Sequence, residues 1–180
     1  MLVIGITGMR GSGKSLAAKA ARSLNMPVVE MRTAVVALMR KRKIKVTNKS
    51  LRLFADAIRK EQGRAVSAKL AIAVINKRKP ANAVVVNGVR SIEEISEFKK
   101  HFDFKLIALV APVRTRFERI LHRRRKDDPR KYADFLWSER IEARWGLAKA
   151  LAEAEYVVAN TGSREECVSN LRELLARLSC

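Results

Sequence analysis

The sequence predicts an α/β fold, a parallel sheet with helices on both faces. Three observations carry that expectation. Short apolar runs rich in β-branched residues recur along the chain, amphipathic helical patterns separate them, and a glycine-rich turn leads from the first run straight into the first helix. A length of 180 residues supports one well-filled core and is short for two. A single domain over 1–180 is therefore expected.

The first run, "LVIGIT" (Leu2–Thr7), reads as a strand buried on both faces, and Lys14–Leu24 reads as a helix ended by Asn25 and Pro27. "VVE" is a short second strand. Met31–Lys43 and Leu51–Asn76 have helical patterns, the latter interrupted near Gly63. "AVVVN" (Ala83–Asn87) is a third buried strand. "SIEE" (Ser91–Glu94) has the spacing of a capping box at the head of the next helix. "FKLIALVAP" (Phe104–Pro112) supplies the fourth strand. Helix follows over Val113–His122, a charged loop over Arg123–Lys131, and helix again over Tyr132–Ala154. "EYVVAN" (Glu155–Asn160) is the fifth strand. Arg164–Leu178 closes the chain as a helix with Leu171, Leu174, Leu175 and Leu178 on one stripe. In parallel sheets ligands sit beyond the carboxyl ends of the strands. Gly8, Thr33, Asn87, Pro112 and Thr161, each following a strand, are thereby expected on one edge.

"GMRGSGKS" (Gly8–Ser15) fits the pattern G-x-x-x-x-G-K-[ST] in full, with a strand before it and a helix after. Glycines at Gly8, Gly11 and Gly13 let successive backbone N–H groups turn inward around an anion, and the helix beginning at Lys14 adds the positive end of its dipole. The binding stretch is thus Gly8, Met9, Arg10, Gly11, Ser12, Gly13, Lys14 and Ser15. Lys14 offers a point charge to the outer phosphates and Ser15 a hydroxyl to Mg²⁺. The expected ligand is a nucleoside triphosphate with Mg²⁺. No N-K-x-D guanine-reading motif occurs, because "TNKS" (Thr47–Ser50) matches only its start. ATP is the expected nucleotide.

Six further segments occur in order: "IRKEQG" (Ile58–Gly63), "NGVRS" (Asn87–Ser91), "TRFERI" (Thr115–Ile120), "RRRKDDP" (Arg123–Pro129), "RWG" (Arg144–Gly146) and "AEYVVANTGS" (Ala154–Ser163). With these, the chain resembles the small archaeal family of adenylate-kinase-related, dephospho-CoA-kinase-like P-loop ATPases. The resemblance covers nearly every element. It implies a nucleotide-kinase-like fold with strand order 2-3-1-4-5, an acceptor-binding helical region at about 31–79 and a lid at about 122–131. Arg116, Arg119 and Arg123 recur at helical spacing and are expected to face one way. The resemblance makes Lys14, Arg119 and Arg123 catalytic. They would neutralise charge on the transferring phosphoryl group. It also implies that Arg59, Gly88 and Arg90 bind the acceptor, and that Asn160, Thr161 and Gly162 pass backbone groups along the adenine.

The chain departs from the family pattern at the metal. The family usually has Asp-Gly-x-Arg where this chain has Asn87-Gly88-Val89-Arg90. It tends to carry Gly-Asp after the second strand, where Arg32 and Thr33 stand, and an arginine where Val36 stands. Two carboxylates are lost where Mg²⁺ and an acceptor hydroxyl would use them. Glu30 is expected to substitute in part, joining Ser15 as a metal ligand. An acceptor that is already an ionised phosphate needs no base, so the losses favour a nucleotide or other small phosphorylated acceptor, AMP among them, or weak ATP hydrolysis. The outcomes expected are an ATP-dependent phosphotransferase, an ATP-gated RNA-binding protein, or a nucleotide sensor with little transfer activity.

The formal net charge of +20 is more than such a site consumes. "RKRKIK" (Arg40–Lys45), "KRK" (Lys77–Lys79) and "RRRKDDPRK" (Arg123–Lys131) give the surplus a place. It reads either as contact with RNA phosphates or as the Lys- and Arg-rich surface of a hot-growing organism, toward which the single glutamine, Gln62, also leans. With few aromatics and no RNP1, KH or zinc-finger signature, base-specific reading is not expected. Trp137 and Trp145 read as core or lid-hinge residues. Cys167 and Cys180, far from any CxxC pairing, read as incidental thiols of a reducing cytoplasm. The first strand begins at Leu2, which leaves no room for a signal peptide, and no apolar run is long enough to span a bilayer. A cytoplasmic protein is expected.

Overall fold

The computed structural model describes residues 1–77, 82–123 and 128–179, apart from the side chain of Asn48. Five strands, β1 (Leu2–Thr7), β2 (Val28–Glu30), β3 (Ala83–Asn87), β4 (Asp103–Val110) and β5 (Tyr156–Ala159), form one parallel sheet in the order β2-β3-β1-β4-β5. This is the order the family resemblance implied. The central strand β1 is buried from Val3 to Thr7 and is sandwiched on both faces, which a parallel sheet requires. Gly5 in its middle has a packing reason, because a Cβ there would run into the Phe104 ring and lie 3.0 Å from Leu106. The Phe104 ring in turn stacks on Phe98 at 5.3 Å.

Alternation along the strands divides the core. Ile4, Ile6, Val85, Ile107 and Leu109 face α1 (Lys14–Ser23) and α9 (Arg164–Ser179), where buried Cys167 also lies. Val3, Val84, Val86 and Leu106 face α4 (Val66–Asn76), α5 (Ile92–His101) and α8 (Leu147–Ala152). A third cluster, around Met39, Ile58 and Trp145, joins α2 (Met31–Lys41), α3 (Asn48–Gln62) and α7 (Tyr132–Arg144). The remaining helix, α6 (Val113–Arg123), follows β4.

Several helical boundaries differ from expectation, while the interruption expected near Gly63 is present. The helix beginning at Met31 stops at Lys41, two residues before Lys43 takes a left-handed φ of 57°. The helix expected from Leu51 starts at Asn48, because Thr47 and Ser50 cap it reciprocally. It ends at Gly63, and α4 begins afresh at Val66. The single helix expected over Tyr132–Ala154 is two, since Gly146 turns with φ 97° and divides α7 from α8. Ser91 caps α5 as expected, accepting from the Glu94 N–H at 3.2 Å, but the Glu94 carboxylate goes elsewhere. Residues 78–81 and 124–127 and Cys180 lie outside the described residues. The middle of the expected lid, part of the Lys77–Lys79 run and the second cysteine therefore fall there. Among the described residues no helix is long and apolar enough to cross a membrane.

Candidate functional site

The carboxyl ends of the strands open into a cleft of about 790 Å³. One side is the Gly8–Ser15 loop. Gly8, Gly11 and Gly13 have φ of 151°, 82° and 106°, which L side chains rarely adopt, and space forbids side chains as well. A Cβ on Gly8 would lie 2.6 Å from the Leu109 carbonyl, one on Gly11 2.5 Å from the Arg116 carbonyl, and one on Gly13 would overlap the Asn160 amide. The helix begins at Lys14 with no side-chain cap, so its first N–H groups remain for a ligand. Lys14 Nζ donates to the carbonyl oxygens of Gly8 and, at 3.0 Å, Met9. Burial pulls its pKa down to about 8, against the pull of Glu142. The buried Ser12 hydroxyl has no partner among the described residues. A ring of left-handed glycines, a helix N-terminus and an enclosed lysine fit a triphosphate.

Two buried groups fix the loop from behind. Arg116 Nη1 donates to the Arg10 carbonyl at 3.0 Å and pairs with Glu139 at 2.6 Å, while its Nε donates to the Ala111 carbonyl at 3.1 Å. Asn160 Nδ2 donates to the Ser12 carbonyl at 2.9 Å. The first finding corrects the expectation. Arg116 does not face the same way as Arg119 and Arg123; Phe135 and Glu139 of α7 cover it, and it is 3% exposed. The Asn160 backbone is already engaged, its N–H donating to the Val110 carbonyl and its carbonyl accepting from Arg119 at 3.0 Å. Thr161 and Gly162 are exposed beside it. Arg119 and Arg123 both line the cleft. Asp128 accepts from Arg123 Nε at 2.6 Å and Nη2 at 2.7 Å and also from Arg10 at 3.1 Å. Burial opposes its charge, but the two arginines outweigh burial and hold the Asp128 carboxyl below the usual range.

At the metal end, Glu30 and Asn87 are paired across the β2–β3 register, and Asn87 Nδ2 donates to both Glu30 oxygens at 3.1 and 2.9 Å. Ser15 lies exposed at the first turn of α1, and Asn87 Oδ1 is buried without a partner among the described residues. No group of three or more His, Cys, Asp or Glu suited to a metal occurs among the described residues. Ser15 and Glu30 both line the cleft, and each carries an oxygen of the kind a cation such as Mg²⁺ takes when phosphates and water complete its shell.

The opposite wall is built on Trp145. The Arg59 guanidinium lies over its ring at 4.6 Å and Arg90 at 5.9 Å. The buried Glu94 carboxylate accepts from the Arg59 side chain at 2.9 Å and from the Arg90 N–H at 2.7 Å. Arg59 Nε is buried and has no partner among the described residues. Arg90 Nη1 donates to the carbonyl of Gly88, whose φ is 103°. Trp145 is held by its indole N–H donating to Asp56 at 3.2 Å, a bond that also lowers the Asp56 pKa. Trp137 is not a core residue but is 51% exposed, with Arg52 over its ring. The exposed side chains of Arg40, Lys41, Lys43 and Lys45 do not line the cleft.

Sequence reasoning missed three carboxylates here, Glu94, Asp128 and Glu142. Glu142 left a signal, since Phe135, Ser138, Glu142 and Trp145 lie at helical spacing and all are buried. Around the whole cleft, nine cationic side chains face two carboxylates, Glu30 and Glu142, among the described residues. That imbalance selects polyanionic ligands.

Residues 4–144 match the model of the AAA domain family. The chain is 38% identical over 182 aligned residues to a UPF0200/UPF0201 protein of Archaeoglobus fulgidus, covering 99% of this chain and 56% of that protein. This chain thus spans little more than half of that relative. It is 35% identical to the UPF0200 protein MJ1399 of Methanocaldococcus jannaschii, covering 99% of this chain and 91% of that one. Among solved structures, TT1252 from Thermus thermophilus superposes with a TM-score of 0.70 at 23% identity, covering 98% of this chain and 97% of that one. A shikimate kinase from Bacteroides thetaiotaomicron gives 0.61 at 21% identity, covering 97% and 98%. The fold is thus that of P-loop kinases.

Proposed function

Since the chain belongs to the UPF0200 family, with an AAA-type domain folded as in P-loop kinases, we propose that it is an ATP- and Mg²⁺-dependent phosphotransferase acting on a small anionic acceptor. The observation that carries the reading is the single cationic cleft joining the glycine-rich cradle to the Arg59–Arg90–Trp145 wall. A triphosphate and a charged acceptor would meet there.

Each residue then has a task. The loop amides and Lys14 hold the outer phosphates, and Ser15 and Glu30 offer oxygens to the metal. Arg119 and Arg123 stand on the last turns of α6, where closing the lid would bring them onto the transferring phosphoryl group. Arg59 and Arg90 fix the anionic group of the acceptor, with Gly88 giving the backbone room to turn. Thr161 and Gly162 border the nucleotide end.

The test is incubation of the purified protein with γ-labelled ATP and Mg²⁺ alongside AMP, CMP, GMP, UMP, dephospho-CoA, shikimate or water alone. Label passing to an acceptor faster than to water is the expected result. A protein that binds ATP and labels nothing, water included, is not a phosphotransferase.

A further inference from the structure

Glu142 has no hydrogen-bond or ion-pair partner among the described residues, although it is only 8% exposed. It lines the cleft on α7, one turn before Trp145. A carboxylate so enclosed costs several kcal/mol unless something compensates it. Its charge acts on Lys14, as does that of Arg90. All three line the one cleft, Lys14 on the glycine-rich loop and Arg90 and Glu142 on the side of Trp145, where the outer phosphates of a bound nucleotide would meet the acceptor wall. The neighbouring carboxylates are already employed, Glu139 on Arg116, Glu94 on Arg59 and Arg90, and Glu30 on Asn87.

We propose that Glu142 is the proton acceptor for phosphoryl transfer and that the group phosphorylated is a hydroxyl. This rests on the phosphotransferase reading above and narrows it. The carboxylates missing from the ends of β2 and β3 made an ionised phosphate the expected acceptor, because such an acceptor needs no base. Glu142 reverses that expectation. Against an ionised phosphate, a carboxylate beside the triphosphate adds like-charge repulsion and contributes nothing. Against a hydroxyl it has a task. The acceptor oxygen forms a bond to the γ-phosphorus, and the bond from that phosphorus to the β–γ bridging oxygen breaks. ADP leaves with the electron pair on its terminal oxygen, and the hydroxyl proton passes to the Glu142 carboxylate. Arg59 and Arg90 hold a separate anionic group of the same molecule, so the acceptor class is an alcohol that carries a carboxylate or a phosphate.

The test compares the wild type with Glu142→Gln and Glu142→Ala under Mg²⁺-ATP, with shikimate, dephospho-CoA, AMP and water as acceptors and ATP affinity measured separately by calorimetry. Glu142→Gln is expected to lower kcat about 10²-fold or more while ATP affinity stays the same or tightens. Added formate is expected to restore turnover of Glu142→Ala, which no merely structural role would allow. Turnover of Glu142→Gln within about twofold of wild type overturns the assignment and leaves the phosphotransferase reading standing. So does transfer to the phosphate of AMP with none to any hydroxyl. A Glu142→Ala protein that folds, binds ATP and is not rescued also overturns it. Absence of turnover by the wild type with every acceptor removes both readings together.

Discussion

The two walls of the cleft hold their charges in opposite ways. Behind the phosphate loop, the cation is matched one to one, Arg116 with Glu139, and both are covered. What the loop presents to a ligand is backbone, oriented by glycines that nothing larger can replace. On the acceptor wall two guanidiniums share one indole ring, the Glu94 carboxylate takes the Arg59 side chain and the Arg90 backbone N–H, and Arg59 Nε is left over. The first arrangement is finished before a ligand arrives, which suits recognition of a phosphate chain common to many proteins. The second keeps charge in reserve, and reserve charge is what distinguishes one anionic acceptor from another.

Substitutions can break this contrast. Arg123→Ala is expected to cost less stability than Arg116→Ala, because Asp128 keeps Arg10 as a partner, and to cost transfer about 10³-fold, as loss of a phosphoryl-clamping arginine does. Arg116→Ala should do the reverse. It strands Glu139, whose carboxyl burial already pushes up against the pull of Arg116. The expected loss is about 3–5 kcal/mol in denaturant unfolding. Equal effects of the two substitutions on stability would erase the distinction. A smaller effect is expected for Arg90→Ala, which should weaken acceptor binding about tenfold or more, one lost charged hydrogen bond being worth about 1.5–3 kcal/mol, with ATP affinity held.

The smallest effect concerns pH. Lys14 titrates near 8 in the free loop, and a triphosphate would raise that value by favouring the charged form. A group whose pKa is higher in the complex supports binding fully below its free value and less as pH rises through it. ATP affinity should therefore be flat below pH 8 and fall above it by at most about tenfold per pH unit. Calorimetry in buffers of differing ionisation heat should register uptake of up to one proton there.

Sequence alone reveals most of the cradle because its information is local. Three glycines, a lysine and a serine at fixed offsets, between a β-branched run and an alanine-rich helix, leave little else for the backbone to do. The sheet is legible for a similar reason, since strands buried on both faces have no polar alternation to confuse. The helix joints are less so. Gly146 lies inside an unbroken helical pattern, and only its left-handed φ divides α7 from α8. Arg116, Arg119 and Arg123 share a spacing, but which way each points depends on what α7 lays across α6, and that is decided by Phe135 and Glu139 far along the chain. Asn160 reads as a turn residue, although its amide serves a loop that is 148 residues away. Glu142 is less hidden, because it stands at helical spacing from Phe135 and Trp145, but only tertiary packing decides that it is enclosed.

Trp145 adds a practical consequence. The chain has two tryptophans. One is 8% exposed beneath the two acceptor-wall arginines and the other is 51% exposed at Trp137. Their indoles emit from unlike surroundings, so a Trp137→Phe protein would carry a single tryptophan in the wall of the cleft, beside the proposed acceptor site. Any anion that draws those guanidiniums off the ring would then be visible in the emission, with no label and no turnover required.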